Sequence, residues 1–490
     1  MRHPILHTLW LVACALAGLA APARATGWME WLGSPASSSP FTGRIQGVDV
    51  SAAYFNPALL SMAPGQLGVA LSLLGQSLTI GLSPRPAGAD VSEDIFRARL
   101  RNEDGTSSRL ILHPLPTGRL PTPRQSPASS GTLGTFHFGA IFHPVDPYLT
   151  FGFSMVSPMT YFQERSSFYA DEREQYFSNA LHFERAEDGL CAPQFFLAAS
   201  TSPFRFLSLG AGVSMATRSR TRSLVYIPDA ADQEIADINN EIRITTEWVP
   251  HGGLLITPAP GWSLALTAHA PTRSDIDGQA EIQFWNYQYP EGRDSLVQPF
   301  AFSQGMLPWR VGVGGAVRFA AGSERGLTLA AQLVWAQWSG YRDRHQARPL
   351  DRWGDTLTPA AGLKLDLAQG SAALDLVFEP SPVPAQRGRT SYVDNDRLGA
   401  ALTWERRLSL ASHRFALRVQ GQLHRLLERS VAKSDEAAHP VLDEFPDSLD
   451  LQTGELLAAS QGFQSNNPGY PGFRSAGWLW QAGLSLSYLH

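Results

Sequence analysis

Phe55-Asn56-Pro57-Ala58-Leu59-Leu60-Ser61-Met62 is a kinked, largely apolar stretch set between an export-type leader and a long succession of alternating segments. Asn56 tolerates turn geometry and can bond its own backbone, while Pro57 fixes φ and removes a donor. Around it, residues 26–65 do not alternate. Gly27, Trp28 and Trp31 precede a Ser/Pro stretch at 34–40 and the run Gly43-Arg44-Ile45-Gln46-Gly47. A rigid segment without a core of its own needs a wall to pack against, and the interior of a wide barrel supplies one. Residues 26–65 are therefore expected to be a small N-terminal hatch plugging a β-barrel over 66–490. A flexible periplasmic extension is the competing reading.

The leader sets the compartment. Met1 to Ala25 carries Arg2 and His3, an apolar stretch from Leu9 to Ala21 and an A-x-A site at Ala23-Arg24-Ala25. Residues 1–25 thus read as a signal peptide, with a mature chain from Thr26. The apolar stretch is short for an uncleaved span. Leu11-Val12-Ala13-Cys14 has lipobox chemistry, but Cys14 lies early, with apolar residues continuing past it. Cleavage leaves Cys191 alone, so no internal disulfide is expected.

Composition excludes several classes. After the leader no stretch reaches the roughly 18 apolar residues of a transmembrane helix. With 43% apolar residues, 43 glycines and 17% charged residues in a chain of 490, the protein is too polar for a helical membrane protein. That balance suits a barrel whose lipid-facing and lumen-facing residues alternate. A formal net charge of −5 implies no nucleic-acid partner.

Periodicity and loop lengths give the architecture. Trp478, Trp480, Ala482, Leu484, Leu486 and Tyr488 alternate with Leu479, Gln481, Gly483, Ser485 and Ser487. Aromatics at both ends and aliphatics between them make a lipid-facing strand spanning two aromatic girdles. Strands are expected near 66–82, 131–144, 147–162, 180–202, 205–224, 241–258, 262–286, 307–320, 326–342, 355–368, 371–380, 396–408, 412–430 and 474–489. Tight turns such as Ser202-Pro203 and Gln369-Gly370 alternate with long connections such as 83–130 and 431–473. Short periplasmic turns, longer outer loops and an even strand count are the layout of a Gram-negative outer-membrane barrel. The fold class is therefore all-β: a transmembrane antiparallel β-barrel of about fourteen strands.

The run from Asn56 to Met62, with Gly65 and Gly68-Val69-Ala70-Leu71-Ser72, resembles the hatch-to-first-strand passage of the FadL-type long-chain fatty acid transporters. Phe151-Gly152-Phe153-Ser154-Met155-Val156-Ser157-Pro158 is similar to that family's third strand, where a Ser-Pro interrupts the ladder. Asp277-Gly278-Gln279-Ala280, Leu307-Pro308, Val334-Trp335-Ala336-Gln337-Trp338-Ser339 and Tyr392-Val393-Asp394-Asn395-Asp396-Arg397 extend the likeness in order along the chain. The resemblance implies energy-free uptake of hydrophobic compounds, captured outside and released past the hatch through a lateral gap at a third-strand kink. It implies a gate of Asn56, Pro57 and Ala58 against Ser157 and Pro158. Met159-Thr160 replaces the glycine that commonly follows in the family.

An amphiphile with a carboxylate needs an apolar groove and one or two cations. Arg310, Arg318, Lys364 and Arg418 fall on lumen faces and are candidates, as are structural pairings with Asp366, Asp375, Glu379 or Glu405. The segment 225–240, with Ile227, Ile235 and Ile238, suits a short amphipathic helix or an exposed acidic loop. His137 and His143 read as strand residues rather than metal ligands, and no G-x-S-x-G elbow is present. No catalytic residue, metal or cofactor is expected. The chain reads as an importer of long-chain fatty acids, or alternatively of aromatic or aliphatic hydrocarbons. A surface barrel enzyme or adhesin acting through its long loops is the reading from another class. The expected partners are hydrophobic small molecules, outer-membrane lipid and lipopolysaccharide, and the barrel-assembly machinery during insertion. A monomer is expected.

Overall fold

A computed structural model describes residues 28–83, 124–126, 130–145, 148–159, 181–183, 185, 193–216, 219–229, 234–245, 248–286, 294–320, 325–343, 347–349, 351–387, 390–410, 412–433, 469 and 471–490. The expected signal peptide, Cys14, Cys191 and Thr160 lie outside the described residues.

Fourteen antiparallel strands form one closed wall. They are β1 (Gln66–Leu82), β2 (Ser130–Val145), β3 (Leu149–Pro158), β4 (Gln194–Phe204), β5 (Leu207–Ala216), β6 (Trp248–Ile256) and β7 (Trp262–His269). The others are β8 (Arg310–Ala320), β9 (Gly326–Ala336), β10 (Thr356–Leu367), β11 (Gly370–Glu379), β12 (Arg397–Leu410), β13 (His413–Ala432) and β14 (Gly472–Leu489). Each pairs with its neighbours in sequence. Closure comes from β1, which pairs with β2 in the register Gln66↔Ile141 and with β14 in the register Gln66↔Leu489. Alternate connections are only a few residues long, and those at the opposite rim are long.

The alternation seen in the sequence is an inside–outside alternation. Leu71, Leu73, Leu264, Leu266, Leu374 and Leu402 are exposed on the outer surface, a belt that water would penalise and lipid accommodates. Exposed Tyr148, Phe204, Phe206 and Trp262 border the belt at the tight-turn rim, and Trp248 and Trp309 border it at the opposite rim. Facing inward on β13, Arg418, Gln420, Gln422 and His424 are all buried. A lumen filled with water would leave them exposed, so something solid fills it.

That filling is a plug made of residues 28–63. It contains three short helices (Trp28–Leu32, Gly43–Gln46, Ala52–Phe55) and a 3₁₀ turn, Pro57–Met62. Nearly every residue from Met29 to Leu60 is buried. Asn56 caps the 3₁₀ turn by accepting from the Ala58 amide at 3.1 Å, and Pro57 occupies its first position, where a missing N–H costs nothing.

Three sequence expectations change. First, the described residues of 225–240 are not helical: Ser219–Asp229 and Glu234–Thr245 pair as antiparallel strands. With Thr272–Asn286 and Asp294–Leu307 they make a separate four-stranded sheet. The isoleucines of this segment are β-branched and favour the extended ladder offered by the neighbouring strand. Second, the strand expected over 262–286 is two elements, Trp262–His269 and Thr272–Asn286, parted at Ala270-Pro271, where proline lacks the N–H a ladder needs. Third, the Ser157-Pro158 step is a strand end, not a kink within the ladder. Pairing of β3 with β4 stops at Val156↔Gln194, while pairing with β2 runs to Thr135↔Pro158. Proline cannot donate, which suits a terminal position on the side where no described residue pairs with it.

The purified protein in detergent should give a β-type circular dichroism spectrum and migrate differently on gels before and after boiling. A helix-dominated spectrum would contradict the architecture.

Candidate functional site

The plug is held by the wall's inward side chains, which bond its otherwise unpaired peptide groups. Gln422 Nε2 donates to the Leu32 carbonyl (2.7 Å), Gln420 Nε2 to that of Ser37 (2.9 Å) and Arg418 Nη1 to that of Ala36 (2.7 Å). From β11, Asp375 accepts from the Phe41 and Thr42 amides at 2.9 and 3.0 Å. Imidazoles complete the set: His251 reaches the Ala53 carbonyl, His143 that of Ala63, and His137 lies between the hydroxyls of Ser34 and Ser154. The histidines of β2 thus bond the plug and their neighbours.

Wall glycines make room for it. A Cβ at Gly210 on β5 would collide with Pro57, and one at Gly253 on β6 with the Asn56 side-chain oxygen. The Asn56-Pro57-Ala58 turn is therefore seated on β5 and β6. It does not meet Ser157 and Pro158, as the family resemblance implied. The following 3₁₀ turn meets β3 lower down, where a Cβ on Gly152 would strike Leu60. Ser157 falls on the outward-facing alternation of β3 and Pro158 on the buried inward one.

The four candidate cations separate into two groups. Arg318 pairs with Asp366 at 3.1 Å, and Lys364 lies 4.0 Å from the same carboxylate. Arg418 pairs with Glu405 at 2.6 Å. These three stand toward the tight-turn rim, and acids in the wall accompany each of them. Arg310 is different. It opens β8 at the opposite end and lies 2.9 Å from Glu30, an acid of the plug.

Glu30 was not singled out by sequence reasoning, because a lone acid in a non-alternating segment carries no pattern. It is the centre of the site. Arg44 Nη2 donates to both its oxygens (2.9 and 2.7 Å), and the Tyr54 hydroxyl donates to Oε1 at 2.7 Å. Burial opposes ionisation of Glu30, but Arg310 and Arg44 outweigh it and hold its carboxyl well below the usual range. Burial raises the Tyr54 phenol above its ordinary value; the Glu30 carboxylate adds to this, against Arg310. Two guanidinium groups thus share one carboxylate. Arg44 Nε and Arg310 Nε and Nη1 have no hydrogen-bond partner among the described residues.

These groups line a cavity of about 60 Å³ above the plug. Trp31, Phe41 and Phe55 form its plug side, and Val334, Ala360 and Val377 its wall. Trp338 faces it from the loop side, with Arg185 stacked between Trp338 and Trp31 at 5.0 and 4.9 Å. Arg185 is bonded to Glu379 and lies 3.2 Å from Asp394. The space admits a few water-sized groups, enough for a polar head but not an alkyl chain. A far larger apolar concavity lies on the outer wall among the exposed side chains of Val313, Leu376 and Leu398, with Leu333 and Trp478. Among the described residues no group of His, Cys, Asp and Glu could hold a metal ion.

Gly253→Leu should leave a folded, heat-modifiable barrel with an unseated plug, read as new protease cuts within 28–63 or raised conductance in planar bilayers. A plug equally protected in the variant would refute the seating. Because the Glu30 carboxyl is depressed, its contribution is complete above the ordinary carboxylate range and is lost only as pH falls through the depressed value. The difference in plug tryptophan fluorescence between wild type and Glu30→Gln should therefore hold steady from neutral pH down to about 4.

No family model matches the chain, and no curated relative does. Among solved structures, it is similar to a Pseudomonas aeruginosa FadL homologue at 15% identity and a TM-score of 0.54, over 96% of this chain and 98% of that one. The P. putida toluene transporter TodX follows at 12% identity and 0.48, over 92% and 97%. The Ralstonia pickettii toluene transporter TbuX stands at 11% and 0.43, over 95% and 99%. The closed fourteen-stranded wall, its lipid-facing belt and the match to the first of these along nearly its whole length give this chain the fold of the FadL-type outer-membrane channels.

Proposed function

We propose that the protein is a passive outer-membrane entry channel for hydrophobic compounds, with long-chain fatty acids or similar amphiphilic carboxylates as its substrates. The observation that carries this reading is the cavity where apolar walls meet Arg310 and Arg44, whose Nε donors have no hydrogen-bond partner among the described residues. A carboxylate entering a partly apolar lumen loses solvation and recovers it through charge-assisted hydrogen bonds, worth roughly 1.5–3 kcal/mol each. Arg310 fits that task because its acid partner, Glu30, belongs to the plug, whereas Arg318, Lys364 and Arg418 are engaged with carboxylates of the wall toward the opposite rim. Likeness in fold to a FadL homologue supports a channel for hydrophobic compounds.

Aromatic hydrocarbons form the second reading, favoured by the rings of Trp31, Phe41, Phe55 and Trp338 around the same space. The two readings differ in whether charge matters. Arg310→Ala should weaken a laurate-type ligand by about one to two decades and leave toluene unchanged. Equal affinity for both ligands, in wild type and variant alike, would favour the hydrocarbon reading.

We place the gate in the plug, at Asn56, Pro57 and Ala58 on β5 and β6, with the β3 end at Ser157 and Pro158 as a proposed exit. Deleting 41–63 should leave the barrel inserted while uptake is lost or becomes unregulated. Unchanged flux in a correctly inserted deletion would remove the plug from the mechanism.

A further inference from the structure

Glu30 sits where the head of an acidic ligand would have to go. Its two oxygens take up the Arg44 Nη2 donor and the Tyr54 hydroxyl, and Arg310 stands 2.9 Å away without a hydrogen-bond alignment. All three partners are buried, and Arg44 and Arg310, each with an Nε donor that has no hydrogen-bond partner among the described residues, line the head-sized cavity. The protein has thus placed a carboxylate of its own on a cationic pair built to hold one.

We propose that Glu30 is an internal stand-in for the ligand's carboxylate, and that an entering hydrophobic acid takes over Arg310 and Arg44 and so unlatches the Trp28–Leu32 helix. This rests on the carboxylate reading given above. The helix has five residues, too few to be stable alone, so its position depends on outside ties. Glu30 provides one. The others are Trp31, stacked between Arg185 and Arg397, with the Trp31 and Leu32 carbonyls accepting from Arg397 and Gln422. Two carboxylates crowded onto one buried guanidinium pair repel each other. Ligand binding and latching therefore oppose each other by the same factor. An alcohol or hydrocarbon of equal length brings no charge and leaves the latch closed. The exchange involves no proton and no covalent step.

The test uses the full chain in detergent, with laurate and dodecanol as probes. Affinity and hydrogen–deuterium exchange of the peptide containing residues 28–33 are read together. In the wild type, laurate should speed exchange in that peptide and dodecanol should not. Glu30→Gln should show fast exchange without ligand and bind laurate roughly ten- to a hundredfold more tightly, with dodecanol unchanged. Tyr54→Phe removes one tie to Glu30 without changing charge and should move both readouts the same way by less. It carries the test if Glu30→Gln loses heat-modifiability. If laurate binds and Arg310→Gln abolishes that binding, while Glu30→Gln or Tyr54→Phe alters neither affinity nor exchange, the latch is wrong and the carboxylate site stands. If laurate and dodecanol bind alike in wild type and in Arg310→Gln, the carboxylate site itself fails, and the latch with it.

Discussion

Peptide groups buried out of water have to be paired, and the plug cannot pair its own. Its three helices span four or five residues each, too short to satisfy most of their N–H and C=O groups internally. The wall makes up the deficit. Inward side chains of β2, β6, β11, β12 and β13 reach individual backbone atoms between Trp31 and Ala63. This requirement explains why β13 reads Arg418, Gln420, Gln422, His424 on its inner face. Those residues are donors spaced to meet a particular irregular chain, not the lining of an aqueous pore.

Buried charge follows a second pattern. A buried ion pair repays its desolvation only with good geometry and further hydrogen bonds, so it is weak evidence for stability and better evidence for position. Toward the tight-turn rim, Glu405 joins Arg418 within the wall while Arg418 also holds the plug backbone. Toward the other rim, Arg185 links Glu379 and Asp394 across the wall and a loop, and stacks on Trp31 of the plug. Arg310 differs in that its ion pair, at 2.9 Å, is with a plug carboxylate, whereas the ion pair of Arg418 is with the wall's Glu405. That asymmetry is what singles out one of four similar arginines and lysines.

Much of this was legible in the chain. Period-two alternation in segments such as 478–488, and the sorting of tight and long connections, specify a closed barrel because lipid on one side and lumen on the other leave no other arrangement. The turn at Asn56-Pro57 was equally visible, since its chemistry is local. The seat of that turn was not. Gly210 and Gly253 look like ordinary strand glycines until Pro57 and Asn56 are placed against them. Pro158 announces a break in hydrogen bonding but not whether the break falls within a strand or at its end. Arg310 and Arg418 sit in equivalent alternating patterns, and their difference lies in a partner nearly 300 residues away in one case and a cross-strand neighbour in the other. Glu30 had no signal at all, because its meaning is created by the three residues that converge on it.

The seam between the first and last strands has a bearing on how the molecule is put together. β1 is zipped along its full length to β14, and the plug runs into β1 through Ala63-Pro64-Gly65 alone. A segment tied to inward side chains around the ring, and seated on glycines of β5 and β6, holds distant strands to a common centre. The plug thus acts as an internal brace, and the seam of β1 on β14 joins the brace to the wall it supports.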